Sequence, residues 1–250
     1  MCGRFTLFHN WEEMQAVYGL VSSQPYMLPQ RYNIAPSQDI VAIIRAGSRE
    51  GGVAGGNLRA RVLEVFRWGL VPPWAKSPGL GARMINARAE TIAKKPAFRN
   101  AFRRRRCIIP SSGFFEWQAM EAGQKQPVWI ARPDGGLISF AGLWETWRGP
   151  DGSELETATI VTTEANGTLR QFHHRMPVIL DAAGHDIWLG AGADDRFDRE
   201  AASALLRPAP EDAVWVVSVG RAVNDIRNDG PHLLAPHRLA DEPPDQGELF

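Results

Sequence analysis

Cysteine directly follows the initiator methionine in the opening run Met1-Cys2-Gly3-Arg4-Phe5. A small second residue permits removal of Met1, which would leave an amine and a thiol on adjacent carbons of one residue. The α-amino group has a reference pKa of about 7.7–8.0 and the thiol one of about 8.5, so a useful fraction of each is nucleophilic near neutrality. The amine can condense with an aldehyde to a Schiff base, and the thiol can then close a five-membered thiazolidine. No internal cysteine offers both groups. The bland alternative is an incidental second residue.

The proton traffic of such a condensation needs a carboxylate or imidazole whose pKa sits near neutrality. Glu116 is flanked by Phe114, Phe115 and Trp117, an apolar setting that raises a carboxyl pKa, although it could also simply pair with an arginine. His173 opens the run His173-His174-Arg175-Met176-Pro177, where it is either a proton donor and acceptor or a surface residue of a turn. Arg4, Arg67, Arg88 and Arg175 can fork onto phosphate oxygens. Trp68 and Trp74 bracket Gly69-Leu70-Val71-Pro72-Pro73, a proline-restricted loop able to hold an indole against a nucleobase. Such stacking contributes about 1–3 kcal/mol per base, but tryptophans in strand-rich domains are usually core. One of the two is therefore expected to be buried and the other partly exposed. The run from Arg103 to Arg106 reads as a solvated helix end or as a DNA contact. Cys107, followed by Ile108 and Ile109, reads as a small buried hydrophobe. CxxC and HExxH spacings are absent, and no metal or other cofactor is expected.

The elements that must position these groups are mostly strands. Ile40–Ile44, Val62–Phe66, Val128–Ile130, Ile138–Ala141, Thr159–Thr162 and Val214–Val217 are rich in β-branched and aromatic residues. The glycine-rich stretch Gly47–Gly56 predicts a mobile hairpin loop between the first two runs. Helices are expected at Trp11–Tyr18, across Ala87–Ala93 with Pro96–Arg103, and at Asp198–Leu206. Many strands and few short helices imply an α+β fold around a curved antiparallel sheet or open barrel. One domain over residues 2–238 is expected, with residues 239–250 a disordered acidic tail.

The 250 residues carry 28 basic and 28 acidic side chains, but unevenly. Residues 1–180 hold 22 Lys and Arg against 14 Asp and Glu, whereas residues 181–250 hold 6 against 14. A basic body of this kind can attract phosphate locally despite zero net charge. The opening residues lack the pattern of a signal peptide, and no run approaches the roughly 18 apolar residues of a membrane span. A cytoplasmic monomer is the expectation.

Seven motifs occur in order: MCGRF from Met1, RYNIAP from Arg31, RWGLVPPW from Arg67, INARAET from Ile85, RCIIP from Arg106, GFFEW from Gly113 and HHRMP from His173. Together they resemble the SRAP family of abasic-site processing proteins, from Cys2 to about Pro231. The resemblance implies an SRAP domain that recognises abasic sites in single-stranded DNA. It further implies a covalent crosslink through Cys2 that shields the lesion, with peptidase-like self-processing and crosslink reversal. In this light Cys2 bonds to C1′ of the ring-opened sugar, Asn86 positions the N-terminal residue and the sugar, Glu116 transfers protons, and His173 assists ring opening or protonates the leaving oxygen. Asn33 and Pro36 join Arg4, Arg67, Trp68, Trp74, Arg88 and Arg175 as expected DNA contacts. Two other classes remain open. An N-terminal-nucleophile amidotransferase would use Cys2 against an amide, with Asn166-Gly167 as oxyanion hole. A non-enzymatic single-strand binding module would use the same arginines and tryptophans and ignore Cys2. Finally, Gln246, Leu249 and Phe250 end the chain in a pattern similar to the short peptides that dock on the bacterial sliding clamp.

Overall fold

The structure, a computed structural model, describes residues 2–21, 28–48, 57, 59–120, 123–190 and 197–237. Its strands are β1 (Phe5–Leu7), β2 (Arg31–Ile34), β3 (Asp39–Arg45), β4 (Arg61–Trp68), β5 (Asn86–Arg88), β6 (Arg106–Ser111) and β7 (Gly113–Ala119). They continue as β8 (Lys125–Ala131), β9 (Ile138–Arg148), β10 (Glu154–Glu164), β11 (Arg175–Pro177), β12 (Ile179–Leu180) and β13 (Trp215–Ser218). The helices are α1 (Trp11–Tyr18), α2 (Arg99–Arg104), α3 (Gly167–Arg170), α4 (Ala182–Leu189) and α5 (Arg199–Ala204).

All six strand-forming runs read from the sequence lie in or overlap strands, and they build two sheets. The larger follows the order β11-β10-β4-β3-β6-β9-β12, and a further β9–β10 pairing closes β4, β3, β6, β9 and β10 into a five-membered ring. Ile43 and Ile108 on one face of this sheet and Phe66, Phe140 and Ile160 on the other are all buried, removing apolar area that stabilises by about 25 cal/mol per Å². The smaller sheet follows β13-β8-β7-β1-β2. Phe5 of β1 joins the two, its ring meeting Trp68 at 5.1 Å and Phe140 at 6.2 Å in edge-on geometry. The α+β reading with a barrel-like core is thus the observed fold, and its strands are mostly antiparallel, the β4–β10 pair of the ring being parallel. β3 and β4 form the expected hairpin, with Arg45 opposite Arg61. Ala46–Ser48 make a 3-10 turn at its end, while residues 49–56 lie outside the described residues, as do 238–250.

α1 forms where expected because its ends are written locally. The Asn10 side chain accepts the Glu13 N–H at 2.9 Å, the Glu13 carboxylate accepts the Asn10 N–H at 2.8 Å, and Gly19 closes the helix at φ 62°. The helix expected over Ala87–Ala93 and Pro96–Arg103 is corrected. Residues Asn86–Arg88 are instead a strand parallel to β10, residues 89–98 are mostly turns, and only Arg99–Arg104 is helical. The arginine run divides. Arg103 and Arg104 are exposed, Arg105 pairs with the buried Glu145 at 2.7 Å, and Arg106 is itself buried. Arg106 donates to Phe102 O at 2.8 Å and to Trp188 O. Arg45 donates to Gly190 O, so two guanidiniums cap the C-terminal end of α4.

Candidate active site at the amino end

Three strands and one turn bring the expected catalytic residues to the same corner. Phe5 pairs with Phe114 antiparallel, and the Phe115 N–H donates to Arg4 O at 2.9 Å. Carrying that register toward the chain start sets Gly3 and Cys2 alongside Glu116. β10 supplies the other wall. Its Ile160–Thr162 stretch pairs with Asn86–Arg88 of β5, and its Thr162–Glu164 stretch pairs with β11, immediately after His173.

Cys2 is fully buried, and the Asn86 amide donates to its carbonyl at 2.9 Å. Asn86 Oδ1 is buried without a hydrogen-bond partner among the described residues. Burial pushes the Cys2 thiol pKa well up, and the nearby Glu116 carboxylate adds to the shift. Glu116 is buried on β7, and desolvation raises its carboxyl above the ordinary range, with the positive charge at the amino end pulling the other way. His173 is half-buried, and desolvation followed by that same amino-terminal charge lowers it to about 4. Its Nδ1 accepts the Arg175 N–H at 2.9 Å, which in the neutral ring leaves the proton on Nε2. Cys2, Glu116 and His173 therefore share one electrostatic neighbourhood around the chain's first amine.

α3 and its capping residues hold the histidine. Asn166 Oδ1 accepts the Leu169 N–H at 3.0 Å, while its amide donates to Ala209 O and Pro210 O at 3.1 Å each. The His173 N–H donates to Leu169 O at 3.0 Å. Asn166 is thus a structural tether, and its carbonyl and amide are engaged in ways that do not build an oxyanion hole.

The expected DNA-contact residues divide by exposure. Trp74 is 60% exposed, whereas Trp68 is fully buried and donates from its indole to Ile85 O at 2.9 Å. One tryptophan out and one in was the expectation, and it removes Trp68 from the list of stacking surfaces. The Trp74 loop is pinned where Gly69, at φ +126°, crosses Gly81. A Cβ on either residue would lie 2.5 Å from the other's carbonyl oxygen. The Trp147 indole also donates to Ala75 O at 2.7 Å. Arg67 and Arg88 are exposed, and Pro36 is half-exposed beside Ser37, the one non-glycine residue of positive φ among the described residues.

Asn33 corrects the expectation of a side-chain contact to DNA. It is fully buried, with its amide donating to Val223 O, Asp225 O and Asn228 O and its oxygen accepting from Arg4 at 2.7 Å. Its physical role is to fasten β2 and Arg4 to residues 223–228. Arg4 also donates to Val223 O at 2.7 Å and lies 5.9 Å from the Trp117 ring. Arg175 is only 8% exposed and is engaged by a residue that had no assigned role. Glu90 accepts from both of its terminal nitrogens, at 2.6 and 3.0 Å. Glu90 belongs to the INARAET motif, but nothing in the sequence pairs it with a residue 85 positions away.

The family model described as SOS response associated peptidase (SRAP) matches residues 1–226. The chain is 38% identical over 242 residues to abasic site processing protein YoqW of Bacillus subtilis, covering 95% of this chain and all of that one. It is 34% identical over 203 residues to abasic site processing protein HMCES of Gallus gallus, covering 72% of this chain and 59% of that one. A crystal structure of a protein from Bacteroides thetaiotaomicron superposes with a TM-score of 0.76 at 26% identity, covering 95% of this chain and all of that one. The ordered motifs, the ring-closed fold and these matches agree, and the chain belongs to the SRAP family.

Proposed function

We propose that this protein processes abasic sites in single-stranded DNA by forming a covalent crosslink through Cys2 after Met1 has been removed. The observation that carries the reading is the convergence of Glu116 and His173 on the amino end whose Cys2 carbonyl Asn86 holds. The names of the SRAP relatives support the substrate class.

The steps follow from the site. The neutral His173 ring, carrying its proton on Nε2, hydrogen-bonds to the sugar ring oxygen while the C1′ hydroxyl proton passes to that oxygen, and the ring opens to the C1′ aldehyde. The Cys2 amine adds to C1′ and one nitrogen proton passes to the former aldehyde oxygen, making it a hydroxyl. Glu116 then takes the second nitrogen proton and delivers it to that hydroxyl, which leaves as water. This gives the Schiff base. The Cys2 S–H then adds across C=N, sulfur bonding to C1′ and the proton passing to nitrogen, which closes the thiazolidine. A thiol kept protonated by burial suits this order, with the amine attacking first. Arg67 and Arg88 face solvent where a phosphate backbone could reach them, and Trp74 offers an indole to a flanking base. Removal of Met1 by the site itself would account for the peptidase in the family's description.

The test is an abasic single-stranded oligonucleotide incubated with protein and then denatured. A slow-migrating band is expected, and a blocked or extended N-terminus should abolish it. A stable adduct at the normal rate from a blocked amine would sink the mechanism. The reading places the protein with the chromosome. There Gln246, Leu249 and Phe250, which lie outside the described residues, would dock on the sliding clamp through a small apolar anchor of micromolar affinity. Titrating a labelled peptide of the last ten residues with the clamp decides that point, since absence of binding at tens of micromolar disposes of it.

A further inference from the structure

Arg175 presents an unusual arrangement for a residue expected to grip DNA. On β11 it is 8% exposed, Nη2 donates to Thr162 O at 2.6 Å, and both terminal nitrogens donate to the Glu90 carboxylate. Nε is buried and has no acceptor among the described residues. A forked carboxylate on guanidinium has the geometry that a forked phosphate takes. Glu90 is 47% exposed, in the turn just after β5. The anion therefore faces solvent while the cation is sunk in the sheet. A cavity of about 370 Å³, lined by Glu164, Arg170, His174 and Arg175, opens beside this pair. Burying a guanidinium without a counter-charge is strongly unfavourable, so Arg175 needs an anion whether or not DNA is present. A strand approaching from solvent meets the Glu90 carboxylate first, and two negative groups cannot share one guanidinium edge.

We propose that Glu90 is a built-in phosphate surrogate: its carboxylate occupies the edge of Arg175 that a DNA backbone phosphate takes, and binding exchanges one anion for the other. The inference rests on the reading of the protein as a binder of single-stranded DNA. The Arg175 hydrogen bonds hold the Glu90 carboxyl below its usual range, and Arg88 contributes further, so the group is ionised at any working pH. Once displaced it stays in the field of Arg88. The exchange keeps Arg175 neutralised at every stage. It also means that undamaged strands gain little at this position, which limits unproductive binding.

The test compares wild type, Glu90→Gln and Glu90→Asp for binding of a fluorescent, undamaged single-stranded oligonucleotide across a salt series. Glu90→Gln should bind about 3–10-fold more tightly at low salt, with a salt slope steeper by about 0.7, the value for one added phosphate contact on a single strand. Glu90→Asp, which keeps the charge, should remain near wild type. Inorganic phosphate supplies an arm independent of DNA. Millimolar phosphate should raise the melting temperature of Glu90→Gln by more than that of wild type. Phosphate stabilisation without oligonucleotide binding would uphold the surrogate role and remove the single-strand reading instead. Equal or weaker oligonucleotide binding by Glu90→Gln, together with no added phosphate stabilisation, overturns the proposal.

Discussion

The two cysteines differ little by the usual measures and completely by their neighbours. Cys2 and Cys107 are both fully buried thiols, and burial pushes the pKa of each well up. Cys107 sits in the barrel wall on β6, opposite Gly142 of β9, where a Cβ on that glycine would come within 2.8 Å of its sulfur. Its carbonyl accepts the Trp188 indole N–H at 2.9 Å, which ties the strand to the helix behind it. Cys2 instead has an amide on its carbonyl, a carboxylate close enough to shift its thiol, and an imidazole that feels the same amino end. Burial alone therefore does not mark a reactive cysteine. What sets Cys2 apart, and what the proposed chemistry draws on, is the polar company kept inside an apolar wall.

The comparison can be broken most severely at Glu116. Glu116→Gln should slow crosslink formation on the order of 10²-fold, the scale of a lost general acid–base group, in a time course of the denatured adduct. The same change should stabilise the protein at neutral pH. The folded carboxyl titrates above its ordinary value of 4.5, so the folded chain holds more protons than the unfolded one in that window. Wild-type stability therefore falls as pH rises through the window, and Glu116→Gln should lose that slope in melting curves from pH 4 to 8. Slower chemistry with an unchanged pH slope would place Glu116 outside the buried cluster.

Asn86→Ala comes next, with about tenfold slower crosslinking as the Cys2 carbonyl loses its donor and the amino end gains freedom. Binding to undamaged strands should stay close to wild type. A loss of binding equal to the loss of rate would recast Asn86 as a DNA contact.

Cys107→Ala sharpens the contrast from the other side. It should leave the crosslinking rate unchanged while removing roughly 1–2 kcal/mol of stability, the scale for emptying a small volume in a packed core. Chemical denaturation measures the second quantity, and a slowed adduct would show that the barrel wall reaches the site.

The smallest effect concerns His173. Its folded value of about 4 lies below the ordinary 6.5, so the unfolded chain binds more protons between the two. Stability should decline as pH falls from 6.5 toward 4, and His173→Gln should flatten that part of the curve. A wild-type curve with no slope there would mean that the ring is not shielded from solvent.

Elements whose limits are set by neighbouring residues could be read from the sequence. α1 follows from Asn10, Glu13 and Gly19, and the strands follow from β-branched runs. The turns after Asn86 could not be read that way. INAR has a helix-compatible composition, and only the distant β10 recruits it as a parallel strand. α4 was not foreseen, although Asp181 caps its start and Gly190, at φ 79°, ends it. Its apolar run Ile187-Trp188-Leu189 carries no period of its own, and the helix is held by Arg45 and Arg106 from other strands. In the candidate site, Cys2, Glu116 and His173 could be singled out by residue type and Asn86 by its motif, and the structure brings them to one corner. The state of Arg175 was not legible, because it depends on Glu90, 85 positions away in the chain. Asn33 was misread for the same reason, its three carbonyl partners all lying near the end of the domain.

The central claim is that Cys2, and not the equally buried Cys107, is the residue that bonds to an abasic site. Intact-mass analysis of the adduct formed with an abasic single-stranded oligonucleotide tests it most directly, using wild type, Cys2→Ala and Cys107→Ala. For wild type and Cys107→Ala the account predicts a species lacking Met1 whose mass is protein plus oligonucleotide less one water. With Cys2→Ala it predicts no such stable species. A stable adduct of normal yield from Cys2→Ala, or one retaining Met1, would contradict the account.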